Sequence, residues 1–76
     1  ELTALRKALN EDREIIGKRI KFLYLAQKGT HPPVFALGVK DVKVLNQNTK
    51  KYVENFFRRE RDFTGVPIII NYDTKS

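Results

Sequence analysis

The side chains able to do chemistry in this sequence are its cations. Lys18, Arg19 and Lys21 form one run, Lys40, Lys43, Lys50 and Lys51 a second, and Arg58, Arg59 and Arg61 a third. Ammonium and guanidinium groups bind anions well, above all the oxygens of phosphate. The runs are not equivalent. The third closes a predicted helix, where each cation is stabilising by roughly 0.3–1 kcal/mol because the last carbonyls carry partial negative charge. Glu54 also stands four residues ahead of Arg58, the favourable orientation for an ion pair along a helix. The second run has no such internal reason. Asp41 is its sole acid, and Lys50 and Lys51 fall in the first turn of the predicted helix, where cations oppose the dipole. Residues placed against local preference point to an anion outside the domain. Lys40, Lys43, Lys50, Lys51, Arg58 and Arg61 are therefore the candidate phosphate contacts.

Other chemistry finds little to work with. His31 stands alone in a loop beside two prolines, with no nucleophile or paired carboxylate at a useful spacing, so no catalytic residue is expected. No cysteine is present, which removes disulfides and thiolate metal sites, and no metal site is expected. The glycines are Gly17, Gly29, Gly38 and Gly65, so the Gly-x-x-x-x-Gly-Lys-Ser/Thr phosphate loop is missing and no cofactor is expected in this chain. Fifteen Lys and Arg against nine acids leave a net charge of +6. That balance favours a polyanionic partner, nucleic acid or an anionic membrane. No apolar run approaches the ~18 residues of a membrane span, and neither helix pairs strong basicity with a bulky exposed apolar face, so no membrane partner is expected.

The elements that must position these cations are legible from periodicity. The chain of 76 residues is enough for one small domain, 1–76, and it reads as a piece of a longer protein. Leu2, Leu5, Leu9 and Ile16 form an apolar stripe, predicting a helix over 1–16 that frays or ends near Asp12, with Gly17 as its stop. Lys18–Gln27 and Val34–Val39 read as a hairpin across a Gly/Pro loop, with Gly29 supplying the positive φ of the reversal. Phe22, Tyr24, Phe35, Phe57 and Phe63 are expected in the core, and Gly38 leaves a hole in its strand. Asp41 is placed to cap a single turn, and Asn46 or Asn48 to cap the next helix. That helix is predicted over 49–62, with Thr49, Tyr52, Val53, Phe56 and Phe57 inward. Glu60 falls among them and needs a basic partner or partial exposure. Pro67–Tyr72 reads as the third strand, followed by a polar tail. The order helix, strand, strand, helix, strand gives an α+β fold: a mixed three-stranded sheet, its helices packed on one face, with a parallel crossover.

Several stretches together resemble a known family. Lys21 leads a strand ending at Gln27. A loop with Gly29, Thr30, Pro32 and Pro33 then leads into Phe35, followed by Asp41, by Tyr52-Val-Glu-Asn55 and by Phe63-Thr-Gly-Val-Pro67. This series is similar to the C-terminal KH-like domain of the bacterial GTPase Der, also called EngA. Gly38 stands where an aromatic is common there, and Phe56 where a polar residue is common. The resemblance implies a KH-like α-β-β-α-β fold at the end of a cytoplasmic protein with two GTPase domains, with GTP and Mg bound outside this chain. It also implies action in assembly of the large ribosomal subunit, contact with ribosomal RNA rather than DNA, and packing on the GTPase domains of the same chain. A standard KH domain clamps nucleotides with a Gly-x-x-Gly loop, and the Asp41–Lys51 segment replaces it here. A second reading keeps the domain purely intramolecular: both hairpin faces are apolar, and the face without helices docks on a GTPase domain.

Overall fold

The computed structural model describes residues 2–41, 43, 45–63 and 65–74. The leucine stripe forms α1 (Leu2–Asn10), with Leu5 and Leu9 buried. It does not continue to Ile16. Asp12 turns extended and opens a second helix, α2 (Arg13–Gly17), accepting from the N–H groups of Glu14 and Ile15 at 2.9 and 3.2 Å. The same carboxylate receives the Tyr52 hydroxyl at 2.7 and 2.8 Å. Asp12 thus ends one helical run, starts the next and ties both to a distant element. The Asn10 amide docks α1 onto the sheet, bonding both the N–H and the C=O of Phe22 at 2.9 Å. Gly17, read as the stop, is still helical; the chain leaves through Lys18 and then Arg19 at φ 60°.

The sheet is mixed, in the order β1-β2-β3. β1 (Phe22–Thr30) runs antiparallel to β2 (Pro33–Val39), and β2 runs parallel to β3 (Ile69–Thr74). The strands are displaced from their predicted bounds. β1 begins four residues later and extends through the expected loop. Thr30 pairs with Pro33, so only His31 and Pro32, joined by a cis peptide bond, make the reversal. Gly29 pairs with Val34 in the ladder and supplies no positive φ; the described glycine that does is Gly65, at 75°. Pro67 lies before β3 rather than opening it, and the expected polar tail is strand as far as Thr74.

Two bulges in β1 decide which side chains face inward. Phe22 opposes Val39 and Tyr24 opposes Gly38, leaving Leu23 as an extra residue. In a plain strand Phe22 and Tyr24 share a face; an inserted residue reverses the alternation. Phe22 is buried and Tyr24 is 42% exposed, so Tyr24 leaves the core it was expected to join. Its ring covers Gly38 so closely that any side chain there meets it, and its hydroxyl donates to Asp73 at 2.8 Å. The hole left by Gly38 is therefore filled from the neighbouring strand.

The helices cover the other face, where Phe35, Leu37 and Val39 are buried with Leu5, Leu9, Ile15, Val53, Phe56 and Phe57. Each such burial stabilises by about 1.5–3 kcal/mol. α3 (Gln47–Arg61) starts two residues before its predicted bound, capped by Asn46, which accepts from the Thr49 N–H at 2.8 Å. Its buried face is Thr49, Val53, Phe56 and Phe57, with the Phe57 ring edge-on to Phe35 at 5.2 Å. Glu60 is exposed, its carboxylate 4.0 Å from Arg59. That exposure keeps its carboxylate out of the core.

Candidate nucleic-acid interface

The candidate cations fall into four settings, which do not coincide with the runs seen in sequence. The first is an open groove of about 420 Å³ between the first half of α3 and β3. Gln47, Asn48, Lys50, Lys51 and Glu54 form one wall, and Ile68, Ile70 and Tyr72 the other. Helical spacing puts Gln47, Lys50, Lys51 and Glu54 on adjoining positions of one face, while the β3 residues alternate, so Ile70 and Tyr72 point the same way. The Lys50 ammonium sits 5.4 Å above the Tyr72 ring, within range of a cation–π contact. The Tyr72 hydroxyl is buried with no hydrogen-bond partner among the described residues. Burial, and then the charge of Glu54, push its phenol well above the ordinary tyrosine range. Because α3 begins at Gln47, Lys50 closes the first turn and Lys51 lies just past it, so the opposing dipole acts on them less than the predicted bound implies.

The second setting is the end of α3. Arg58 donates to Glu54 at 2.9 Å, to the Phe63 carbonyl at 3.0 Å and to the Val66 carbonyl at 2.6 Å. Its guanidinium is committed inside the domain, holding the turn after the helix in place. The Glu54–Arg58 pair expected from their spacing is present. Arg59 lies 5.2 Å over the Phe56 ring, and Arg61 is exposed in the last turn.

The third setting holds Lys40, which sequence grouped with Lys43, Lys50 and Lys51. It lines a different groove, of about 470 Å³, with Arg19, Lys21, Asn10, Ile16 and Ile20. Lys43 stays in the connection to α3, exposed, its backbone N–H bonded to Asp41 at 3.0 Å. Residues 42 and 44 of the turn that Asp41 was expected to cap lie outside the described residues. Among the described residues the ion pairs are Glu54–Arg58 and Arg59–Glu60, so none of Lys40, Lys43, Lys50 and Lys51 is held by a carboxylate. Sequence reasoning passed over Arg19 and Lys21 as contacts. The pairing of Phe22 with Val39 brings the flanking Lys21 and Lys40 together, and the bulge beside it has no marker in the sequence.

Residues 2–72 match the family described as the KH-domain-like domain of EngA bacterial GTPase enzymes, C-terminal. This chain belongs to that family. The KH-like domain is 41% identical over 73 residues to GTPase Der of Protochlamydia amoebophila, a match covering 96% of this chain and 15% of that protein. It is 42% identical over 53 residues to GTPase Der of Caldicellulosiruptor saccharolyticus, covering 70% and 12%. With GTPase Der of Rippkaea orientalis the figure is 44% over 52 residues, covering 68% and 12%. These matches therefore span only 12–15% of the length of these relatives. The KH-like domain has no Gly-x-x-Gly pair, and the connection bearing Lys43 leads directly into the lysine-lined groove. No described helix is long and apolar enough to cross a membrane.

Proposed function

We propose that this domain binds ribosomal RNA through its phosphate chain, as the C-terminal part of a longer GTPase acting in large-subunit assembly in the cytoplasm. The observation that carries the reading is the pair Lys50 and Lys51, held by no carboxylate among the described residues and set beside an open groove. Lys43 stands on the approach to it. Cations that make no ion pair within the fold are available to phosphate, and contacts of this kind fix position without reading base sequence. GTP and Mg belong to other domains of such a protein, since this chain has no phosphate loop.

Filter binding with large-subunit ribosomal RNA tests the reading. The affinity is expected to fall steeply with salt, and neutralising Lys50 and Lys51 together is expected to lower the log–log slope by about two. Charge reversal at Lys43, Lys50 and Lys51 that leaves affinity and slope unchanged would refute it. A second reading, docking on GTPase domains, is supported by the helix-free side of the sheet and its edge, where Leu23, Tyr24 and Ile69 are 39%, 42% and 45% exposed. The two readings use different surfaces and are compatible.

A further inference from the structure

We propose that Arg19, Lys21 and Lys40 form a second phosphate-binding surface, so that the domain holds structured RNA at two places. The inference rests on the RNA reading above and extends it. The three cations come from separate segments: the exit of α2, the entry to β1 and the exit of β2. They line one open groove together with Asn10, Ile16 and Ile20, none of them acidic. The Asn10 amide is occupied by the Phe22 backbone. The nearest acid along the chain, Asp41, accepts from the Lys43 N–H. Glu14 and Asp12 lie on the α2 side; the Asp12 carboxylate is taken up by the N–H groups of Glu14 and Ile15 and by the Tyr52 hydroxyl.

Two local preferences are overridden here. Lys21 and Lys40 flank the Phe22–Val39 pair, and the Lys40 N–H donates to the Lys21 carbonyl at 3.1 Å. Like charges facing each other across adjacent strands are destabilising. Arg19 holds φ 60° just beyond Lys18, the residue that caps α2. Left-handed backbone at that position is the usual place of glycine or asparagine, and a Cβ there is crowded. A cation beside the last carbonyls of α2 is mildly favourable, but that does not ask for arginine at a positive φ. The left-handed turn at Arg19 is held from within, since the Arg19 N–H bonds the Ile16 carbonyl at 2.9 Å and the Ile20 N–H the Ile15 carbonyl at 3.2 Å, closing α2. Nothing described offsets the Lys21–Lys40 opposition, whereas a phosphate chain across the groove removes it and engages the Arg19 fork. Ile16, 58% exposed, gives the groove an apolar wall.

The test uses the 76-residue chain and a fluorescein-labelled hairpin fragment of large-subunit ribosomal RNA, with anisotropy read across a salt series. Lys21→Gln with Lys40→Gln is expected to weaken binding about tenfold and to lower the salt slope by about two. Combining it with Lys50→Gln and Lys51→Gln should multiply the losses. Thermal melts run alongside: Lys21→Gln and Arg19→Gly should melt at or above the parent while binding RNA less well, an opposition that a merely structural role does not produce. If Lys50→Gln with Lys51→Gln weakens binding and Lys21→Gln with Lys40→Gln does not, the second surface is overturned and the RNA reading stands. If the parent shows no salt-dependent binding, both fall. Competition by poly-glutamate as strong as by poly(U) would also overturn the inference, by making the groove a seat for an acidic protein surface.

Discussion

The two ends of α3 carry the same class of side chain and use it in opposite ways. At the C-terminal end the Arg58 guanidinium meets Glu54 and the carbonyls of Phe63 and Val66. There the chain turns back after the helix, and a forked donor satisfies two carbonyls beyond its end. At the N-terminal end the helix presents donors, which Asn46 answers with an amide oxygen, and Lys50 and Lys51 find no carboxylate among the described residues. The comparison teaches that a count of cations says little about binding. What matters is whether each cation faces the domain's own acceptors or only solvent.

The sharpest way to break the comparison is at the C-terminal end. Arg58→Ala removes donors to two carbonyls and one carboxylate, and is expected to destabilise the fold by about 2 kcal/mol, the scale of hydrogen bonds to a charged group. In a domain of this size that lowers Tm by about 10 °C, measured by circular dichroism. The salt slope of RNA binding should stay at the parental value. A drop in that slope would mean that Arg58 also reaches phosphate.

The N-terminal end should respond the other way round. Lys51→Gln removes a cation that no described carboxylate holds and is expected to leave stability within about 0.5 kcal/mol of the parent, read from urea midpoints, while RNA affinity falls. A clearly destabilised Lys51→Gln would show that the lysine is held by a contact within the fold.

The smallest effect concerns the tyrosines beside α3 and on the sheet. Burial and the charge of Glu54 raise the Tyr72 phenol; bonds to Asp12 and Asp73 raise those of Tyr52 and Tyr24. Below the ordinary value of 10.0 these phenols are protonated in both folded and unfolded chains, and their contribution to stability is complete. Above it the unfolded chain loses its protons first, so stability falls as pH rises through the folded values. Phenolate absorbance in an alkaline titration should rise later than in urea-unfolded chain, and Tyr72→Phe should lose part of that delay. Coincident curves would contradict the burial of Tyr72.

Much of the fold was legible because its signals are local. The stripe Leu5, Leu9, the face Thr49, Val53, Phe56, Phe57 and the Glu54–Arg58 spacing each follow from helix geometry over a few residues. The strand bounds were less legible. Gly29 and the two prolines read as a loop, yet ladder pairing continues to Thr30 and Pro33. The bulge at Leu23 has no sequence marker of its own, and it alone sends Tyr24 out of the core. The candidate site was legible in half. The absence of acids around Lys43, Lys50 and Lys51 can be read directly, but their separation from Lys40 cannot.

By itself the sequence determined the element order, the inward faces of the helices, the surplus of positive charge and the family. These depend on residue type and on periods of two to four residues, which survive in a linear reading. Only the tertiary structure decided which cations are neighbours. The pairing of Phe22 with Val39 puts Lys21 beside Lys40, and the turn after α3 folds two carbonyls back onto Arg58. Charges act through distance in space, and that distance is fixed by contacts between residues far apart in the chain.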